Sequence, residues 1–357
     1  MKINQMEPNF DEKEKKALMK YMDSGGYLTE FKKTHELEQK IADFVGTKYC
    51  ILVPNGTISL SLALWALDDK RKEVLVPDYT MIATANAVKM AGLKPVLVDI
   101  EPKTLGMDFG DFLAKVDSRT HSIMLVSING RFPDHGDEIL SYCRDHNINV
   151  IEDSAQCLGS YYKGKHIGTF GDVGSFSFSM PKIISMGQGG AIVTDNRHVY
   201  TRIKWLKNFG REVDGVDKHE HLGYNFKFTD LQAVIGIEQM KKLPNLIKHK
   251  KKIYRTYKDL LDGRVDFIRT ESEVTPWMND ILFHEREVIR RHLFNYEIGT
   301  RPFYPPIHTQ YPYNIKFQEH FFNSEFISER GIWLPSSTKL TEKEVEYICE
   351  KILEVVK

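Results

Sequence analysis

Tyr49-Cys50-Ile51-Leu52-Val53-Pro54-Asn55-Gly56-Thr57 runs from a strand-forming pentapeptide through a proline into a tight polar turn, and Ile58-Ser59-Leu60-Ser61-Leu62-Ala63-Leu64-Trp65-Ala66 follows directly. The second segment is rich in Ala, Leu and Ser and predicts a helix over 58–66. A helix that starts in this turn aims unpaired backbone N–H groups and the positive end of its dipole outward, which makes Asn55-Gly56-Thr57 a ready anion site. An ordinary helix cap would use the same residue types.

Downstream the same alternation continues. Apolar runs predict strands at 73–76, 95–98, 122–127, 149–152, 174–178 and 190–194, with helical spacing at 82–90 and 136–145. Short strands alternating with helices predict an α/β fold with a mostly parallel sheet, whose ligands belong at the carboxyl ends of the strands. Upstream, residues 11–23 carry Ala17, Leu18, Tyr21 and Met22 at helical spacing and stop at Gly25-Gly26; a second helix is expected over 34–44.

At 357 residues the chain exceeds what one core usually covers, so a second, smaller domain is expected. After a loop rich in Gly, Asp and His at 210–223 comes a helix at 230–242, and Pro244 marks the expected seam: a large α/β domain over 1–243 and a small α+β domain over 244–357. The small part is read as a strand at 264–269 and helices at 284–294 and 341–356. Lys248-His249-Lys250-Lys251-Lys252 lies on a further helix and is expected to be a solvated face.

Lys plus Arg and Asp plus Glu both number 49, so there is no global field to gather nucleic acid or an anionic membrane. Cys50, Cys143, Cys157 and Cys349 are scattered, without zinc-site spacing or the density of a disulfide scaffold, and no metal site is expected. Met1 to Phe10 lacks a signal-peptide core, and no apolar run reaches the roughly 20 residues of a membrane span, so a soluble cytoplasmic protein is expected.

The chemistry is carried by two further stretches. Val150-Ile151-Glu152-Asp153-Ser154-Ala155-Gln156 ends a predicted strand in acid, and Ser179-Met180-Pro181-Lys182-Ile183-Ile184-Ser185-Met186-Gly187-Gln188-Gly189-Gly190 follows within about thirty residues. A buried aspartate and a lysine in a glycine-rich loop together hold pyridoxal phosphate. The aspartate keeps the ring nitrogen protonated, and the lysine carries the cofactor as a Schiff base and then moves protons. An apolar strand before Lys182 and glycines after it would keep its amine from full solvation and let it deprotonate. Without those neighbours Lys182 would read as a surface charge and Asp153 as a helix cap.

Together with these stretches, Val76-Pro77-Asp78-Tyr79-Thr80, Gly171-Asp172-Val173-Gly174-Ser175-Phe176-Ser177-Phe178, Gly223-Tyr224-Asn225-Phe226 and Thr300-Arg301-Pro302-Phe303-Tyr304-Pro305-Pro306-Ile307-His308 resemble, in order and spacing, the DegT/DnrJ/EryC1/StrS family of sugar aminotransferases. The resemblance spans nearly the whole chain. It implies the type I fold of pyridoxal-phosphate-dependent transferases, with a mostly parallel seven-stranded sheet flanked by helices. It makes Lys182 the cofactor-bearing lysine and Asp153, with a depressed pKa, the partner of the ring nitrogen. Gln156 would bond the phenolic oxygen; Asn55, Gly56, Thr57 and Ser177 would hold the phosphate; Met81 would pack on the ring. Asn225 would reach the phosphate from a neighbouring subunit, which implies a homodimer with shared active sites.

By the same resemblance the enzyme takes an amino group from L-glutamate and passes it to a keto-sugar by ping-pong transamination. The 300–308 stretch and Thr275-Pro276-Trp277 look like the GDP-perosamine synthase branch, which aminates the 4-keto group of a nucleotide-linked 6-deoxyhexose for cell-surface polysaccharide such as lipopolysaccharide O-antigen. Tyr27, Thr29, Tyr79, Lys227, Arg301, Tyr304 and His308 are the implied substrate contacts. This chain departs from the family at Met81, where an aromatic ring is usual, at Lys227 for Arg, at Gln188 for Glu, and at Ser127-Ile128-Asn129-Gly130-Arg131 for H-x-Y-G. Those departures leave open a non-nucleotide acceptor, such as a phosphorylated ketone or keto-sugar acid. A non-catalytic regulatory binder of aminosugars is the remaining alternative; histidine in place of the lysine would mark the dehydrating relatives, and Lys182 speaks against them.

Overall fold

A computed structural model describes residues 2–67, 69–313 and 320–356. In chain order the strands are β1 Tyr49–Val53, β2 Glu73–Pro77, β3 Lys94–Val98, β4 Thr120–Val126, β5 Asn149–Asp153, β6 Tyr161–Tyr162, β7 Lys165–His166, β8 Val173–Ser177, β9 Gly190–Thr194, β10 Asn279–Leu282, β11 Arg301–Pro302 and β12 Gly331–Leu334. The helices used below are α1 Glu12–Asp23, α2 Lys32–Val45, α3 Gly56–Ala66, α4 Ala83–Met90, α5 Phe109–Lys115, α6 Gly136–Asp145, α7 Arg197–Lys207, α8 Asp230–Leu261, α9 Arg286–Asn295, α10 Phe322–Arg330 and α11 Glu342–Leu353.

The central sheet has seven strands in the order β1-β9-β8-β5-β4-β2-β3. β9 pairs antiparallel with β1 and β8; β8, β5, β4, β2 and β3 run parallel to one another. The expected mostly parallel sheet is therefore present. Its strands read as continuous apolar runs because helices cover both faces. α3 is buried on nearly every side, from Ser59 to Ala66 with only Trp65 half-buried, as befits an apolar helix with no polar stripe.

The reversed direction of β9 positions the site. Gly190 lies opposite Val53 in β1 and opposite Ser177 in β8, so the amino end of β9 arrives at the edge where β1, β5 and β8 end. A Cβ on Gly190 would stand 2.4 Å from the Asn55 carbonyl oxygen. Only glycine lets this strand close against the turn that opens α3.

Pro244, expected as a seam, sits inside α8, a helix of 32 residues that runs on through it. β10, β12 and β11 form a separate antiparallel sheet, and the core beside it draws on Ile253 to Val356 and on Ile3. The expected strand at 264–269 is absent: its only ladder contact is a bridge between Asp266 and Leu282. Lys250, expected on a solvated face, is 3% exposed, because α8 turns that position toward the Trp277 and Ser336 segments. Sequence reading also missed α5, α7, α10, the β6–β7 hairpin, β10 and β12. All four cysteines are buried free thiols, and among the described residues no helix is long and apolar enough to cross a membrane.

Candidate active site

The turn after β1 is built as its residues suggest. Asn55 caps α3, its side-chain oxygen accepting from the Ile58 N–H at 3.0 Å, and this leaves the N–H groups of Gly56 and Thr57 at the free end of the helix. A Cβ on Gly56 would meet Ser177 Cβ at 3.1 Å, so the glycine holds the turn close to the Ser177 hydroxyl. Two backbone donors, two hydroxyls and a helix dipole thus converge, without a carpet of charge.

Asp153 ends β5 and is buried. Its Oδ2 accepts from the Thr84 hydroxyl at 2.6 Å and its Oδ1 from the Ala155 N–H at 3.2 Å; Thr84 in turn bonds Thr80 across 3.0 Å. The depressed pKa expected for Asp153 is not what this arrangement yields. Burial pushes its carboxyl up, and the two hydrogen bonds and the charge of Lys182 offset only part of that. A buried carboxylate so short of positive charge suits a cationic ring nitrogen, which would restore the ionised form.

Lys182 sits in the connection between β8 and β9. This loop is closed by Phe178 N–H to Gly189 O at 2.8 Å, by Met186 N–H to Phe178 O at 3.0 Å, and by Gly187 at φ +79. Burial lowers the Lys182 amine to about 8, with Asp153 opposing and Arg301 assisting the shift. Its Nζ lies 4.3 Å from the centre of the Trp277 ring. Gln156 is turned by the backbone: its Oε1 accepts from the Asn129 N–H at 2.6 Å, which leaves its Nε2 as the end free to donate.

Asn55, Gly56, Thr57, Met81, Asp153, Gln156, Ser177 and Lys182 line one cavity of about 590 Å³, together with Gln188. Every residue the sequence assigned to the cofactor except Asn225 is thus brought to a single wall. Its volume is that of an ordinary small-molecule site. Anion cradle, buried carboxylate, oriented amide and buried amine fit pyridoxal phosphate, with phosphate at Gly56, Thr57 and Ser177 and ring nitrogen at Asp153. No cluster suited to a metal ion occurs among the described residues.

The residues assigned to substrate are more scattered. Arg301 lies over the rings of Tyr304 and Trp333, at 5.5 and 5.6 Å, near enough to the cavity to lower Lys182. Tyr304 is held up at about 12 by burial, and Tyr79 is fully buried against Phe303 and Tyr304. His308 is not on the cavity wall: its Nδ1 bonds Asp78 Oδ2 at 2.6 Å, its Nε2 lies 3.3 Å from Glu325, and its ring stacks on Phe321. Tyr27 and Thr29 are exposed on the loop before α2, where the Tyr21 hydroxyl donates to Tyr27 O at 2.6 Å. Asn225 is exposed and Lys227 rests over the Phe209 ring at 5.0 Å, both away from this chain's own cavity.

Sequence reasoning missed Thr84, and it quoted Asn129 and Trp277 only within longer stretches, without a role of their own. Thr84 follows Thr80 by one helical turn, a signal too common to single it out. Asn129 and Trp277 act on Gln156 and Lys182 from distant stretches of chain.

The profile of the DegT/DnrJ/EryC1/StrS aminotransferase family matches residues 8–353. GDP-perosamine synthase of Escherichia coli O157:H7 is 37% identical over 354 residues, 98% of this chain and 97% of that protein. Among solved structures, the aminotransferase PseC of Helicobacter pylori, involved in pseudaminic acid biosynthesis, superposes with a TM-score of 0.92 at 23% identity, covering 99% of both chains. GDP-4-keto-6-deoxy-D-mannose-3-dehydratase of E. coli with bound hydrated pyridoxal phosphate superposes at 0.89 with 25% identity, covering 99% of this chain and 100% of that one.

Proposed function

This chain belongs to the DegT/DnrJ/EryC1/StrS aminotransferase family and is a pyridoxal-phosphate-dependent aminotransferase; from that premise we propose that it carries an amino group from L-glutamate to a nucleotide-linked 4-keto-6-deoxyhexose, GDP-4-keto-6-deoxymannose first among them. The observation that carries the choice of sugar is the 37% identity to a GDP-perosamine synthase across 98% of the chain.

When bound, pyridoxal phosphate supplies a carbonyl that takes up the amino group and a ring that draws electrons from the bond to Cα. The rest falls to the protein. Lys182, with an amine lowered to about 8, is neutral in a useful fraction of molecules near neutral pH, so it could take the proton from the amino acid's Cα, pass it on within the same half-reaction, and run the transfer in reverse in the other. Asp153 would hold the proton on the ring nitrogen, with Thr84 orienting its carboxylate. The Nε2 of Gln156 would donate to the phenolic oxygen, and Gly56, Thr57 and Ser177 would hold the phosphate. Arg301 is the candidate contact for the sugar or its diphosphate.

The same reading makes the enzyme a homodimer. Asn225 is exposed, and in the chain leading to it Leu222 is 75% and Val213 62% exposed, apolar side chains that a second copy would cover while bringing Asn225 to the partner's phosphate. Sedimentation of the holoenzyme tests this; a monomer at working concentration refutes it.

The substrate test is spectral. L-Glutamate should bleach the absorbance band of the lysine-bound cofactor, and GDP-4-keto-6-deoxymannose should restore it. If glutamate bleaches the band and only a phosphorylated ketone or keto-sugar acid restores it, the nucleotide-sugar assignment is wrong.

A further inference from the structure

Lys250 is a buried lysine that none of the chemistry above uses. It projects from α8 to the junction between the 275–279 segment and the loop after β12, where its Nζ donates to Trp277 O and to Ser336 O, both at 2.6 Å. Among the described residues no carboxylate pairs with it, and burial alone brings its amine down to about 7. The contrast is Lys207, equally buried but met by Glu30 at 2.8 Å. Burying an amine without a counter-charge is costly, and joining two carbonyls could be done by a neutral side chain.

What those carbonyls belong to gives the amine a use. Trp277 presents its ring to Lys182 Nζ at 4.3 Å, and its indole N–H donates to Pro181 O at 2.7 Å, the peptide immediately before Lys182. One tryptophan therefore holds both the amine and the backbone of that lysine. Lys182, Trp277, Lys250 and Ser336 are walls of one small cavity of about 10 Å³.

We propose that Lys250 is a positioning residue for Lys182 that acts through Trp277: by clamping the Trp277 carbonyl it fixes the indole against which the Lys182 amine rests whenever it is not bonded to the cofactor. An aromatic face favours the charged amine, so the indole restrains the loss of the proton that burial promotes. Asp153, Cys157 and Arg301 act on Lys182 by charge, Glu7 lines the same small cavity, and Lys250 does not act on Lys182 directly by charge.

The proposal rests on Lys182 being the cofactor-bearing lysine, which peptide mapping of borohydride-reduced holoenzyme tests separately. The positioning role is read in the apoprotein, from the pH dependence of Lys182 acylation by trace acetic anhydride, followed by peptide mass spectrometry. Lys250→Met and Trp277→Leu should each move the Lys182 midpoint down by about half to one pH unit, the size of a lost aromatic–cation contact. The double variant should move it no further than Trp277→Leu alone. An upward shift in Lys250→Met would mean direct repulsion between two amines and would overturn the proposal, as would additive shifts. Circular dichroism checks folding. If Lys250→Met does not fold, Trp277→Leu decides, and an unmoved midpoint there overturns the role of the indole on which the proposal depends.

Discussion

The Thr84 hydroxyl reaches Asp153 Oδ2 at 2.6 Å from the first turn of α4, linking the strand-end Val76-Pro77-Asp78-Tyr79-Thr80 stretch to the carboxylate at the end of β5. Asp153 is raised by burial, and this bond is the largest influence holding it down. Thr84→Val keeps the shape and deletes the donor. Because hydrogen bonds to charged groups are worth roughly 1.5–3 kcal/mol, turnover should fall about 10- to 100-fold with folding retained. Steady-state kinetics on the holoenzyme check this; an unchanged kcat would show that Asp153 needs no orienting donor. Asp153→Asn should cripple turnover more severely in an equally folded protein.

As the proposed cofactor-bearing residue, Lys182 should set a pH limb for cofactor loading. Its amine attaches the cofactor only when neutral, and burial places its midpoint at about 8 rather than at the usual lysine value. The sign follows: the protonated form dominates below that midpoint, so the rate of covalent loading of apoprotein should climb roughly tenfold per pH unit up to about 8 and then level off. Stopped-flow absorbance across pH 6 to 10 reads it. Lys182→Ala should show no covalent loading and should lose turnover by at least the roughly 10²- to 10⁴-fold of a general acid–base group.

The parts of the site legible in sequence are those made by neighbours in the chain. Asn55, Gly56 and Thr57 are a cap and a helix start, and Asp153 with Gln156 ends a strand; local rules place all of them. Lys182 is legible because its loop spans adjacent strands β8 and β9. Lys250 was misread because charge in sequence says nothing of which way one residue of a helix faces, and its acceptors Trp277 and Ser336 lie 27 and 86 residues away. The strand expected at 264–269 was misread for a related reason: its residues have strand propensity, but β10 already takes β12 as its partner, leaving only the Asp266 bridge.

His308 anchors rather than lines. Its ring nitrogens serve Asp78 and Glu325, and its backbone N–H also donates to Asp78 Oδ1 at 2.8 Å. Asp78 is fully buried and raised by that burial. His308→Ala strips the ring partner from a buried carboxylate and should cost about 2–4 kcal/mol of stability. A group raised in the folded state loses stability as pH rises through its folded value, so the deficit should be largest at neutral pH and shrink on acidification, as Asp78 protonates. Thermal melts from pH 5 to 7.5 check the trend. A raised KM for the sugar with an unaltered melting temperature would instead make His308 a substrate contact.

Arg131 and Asp280 form an ion pair buried on both sides. Arg131 Nε also donates to Thr270 Oγ1 at 2.8 Å, and Asp280 Oδ2 accepts from Asn129 Nδ2 at 2.9 Å. Asn129 meanwhile donates its backbone N–H to Gln156, so the pair tethers β10 to the residue proposed above as the donor to the cofactor's phenolic oxygen. Breaking one side of such a pair strands the other charge: Arg131→Met should cost about 3–5 kcal/mol. Neutralising both partners should cost less, because Asn at 280 can still accept from Asn129 and leaves no charge buried. Urea unfolding of Arg131→Met and of Arg131→Met/Asp280→Asn distinguishes the cases, and a double variant as weak as the single one would mean that shape, not charge, holds this junction. If the tether positions Gln156, the double variant should also move the absorbance maximum of the bound cofactor, since the donor to its phenolic oxygen is no longer held in one place.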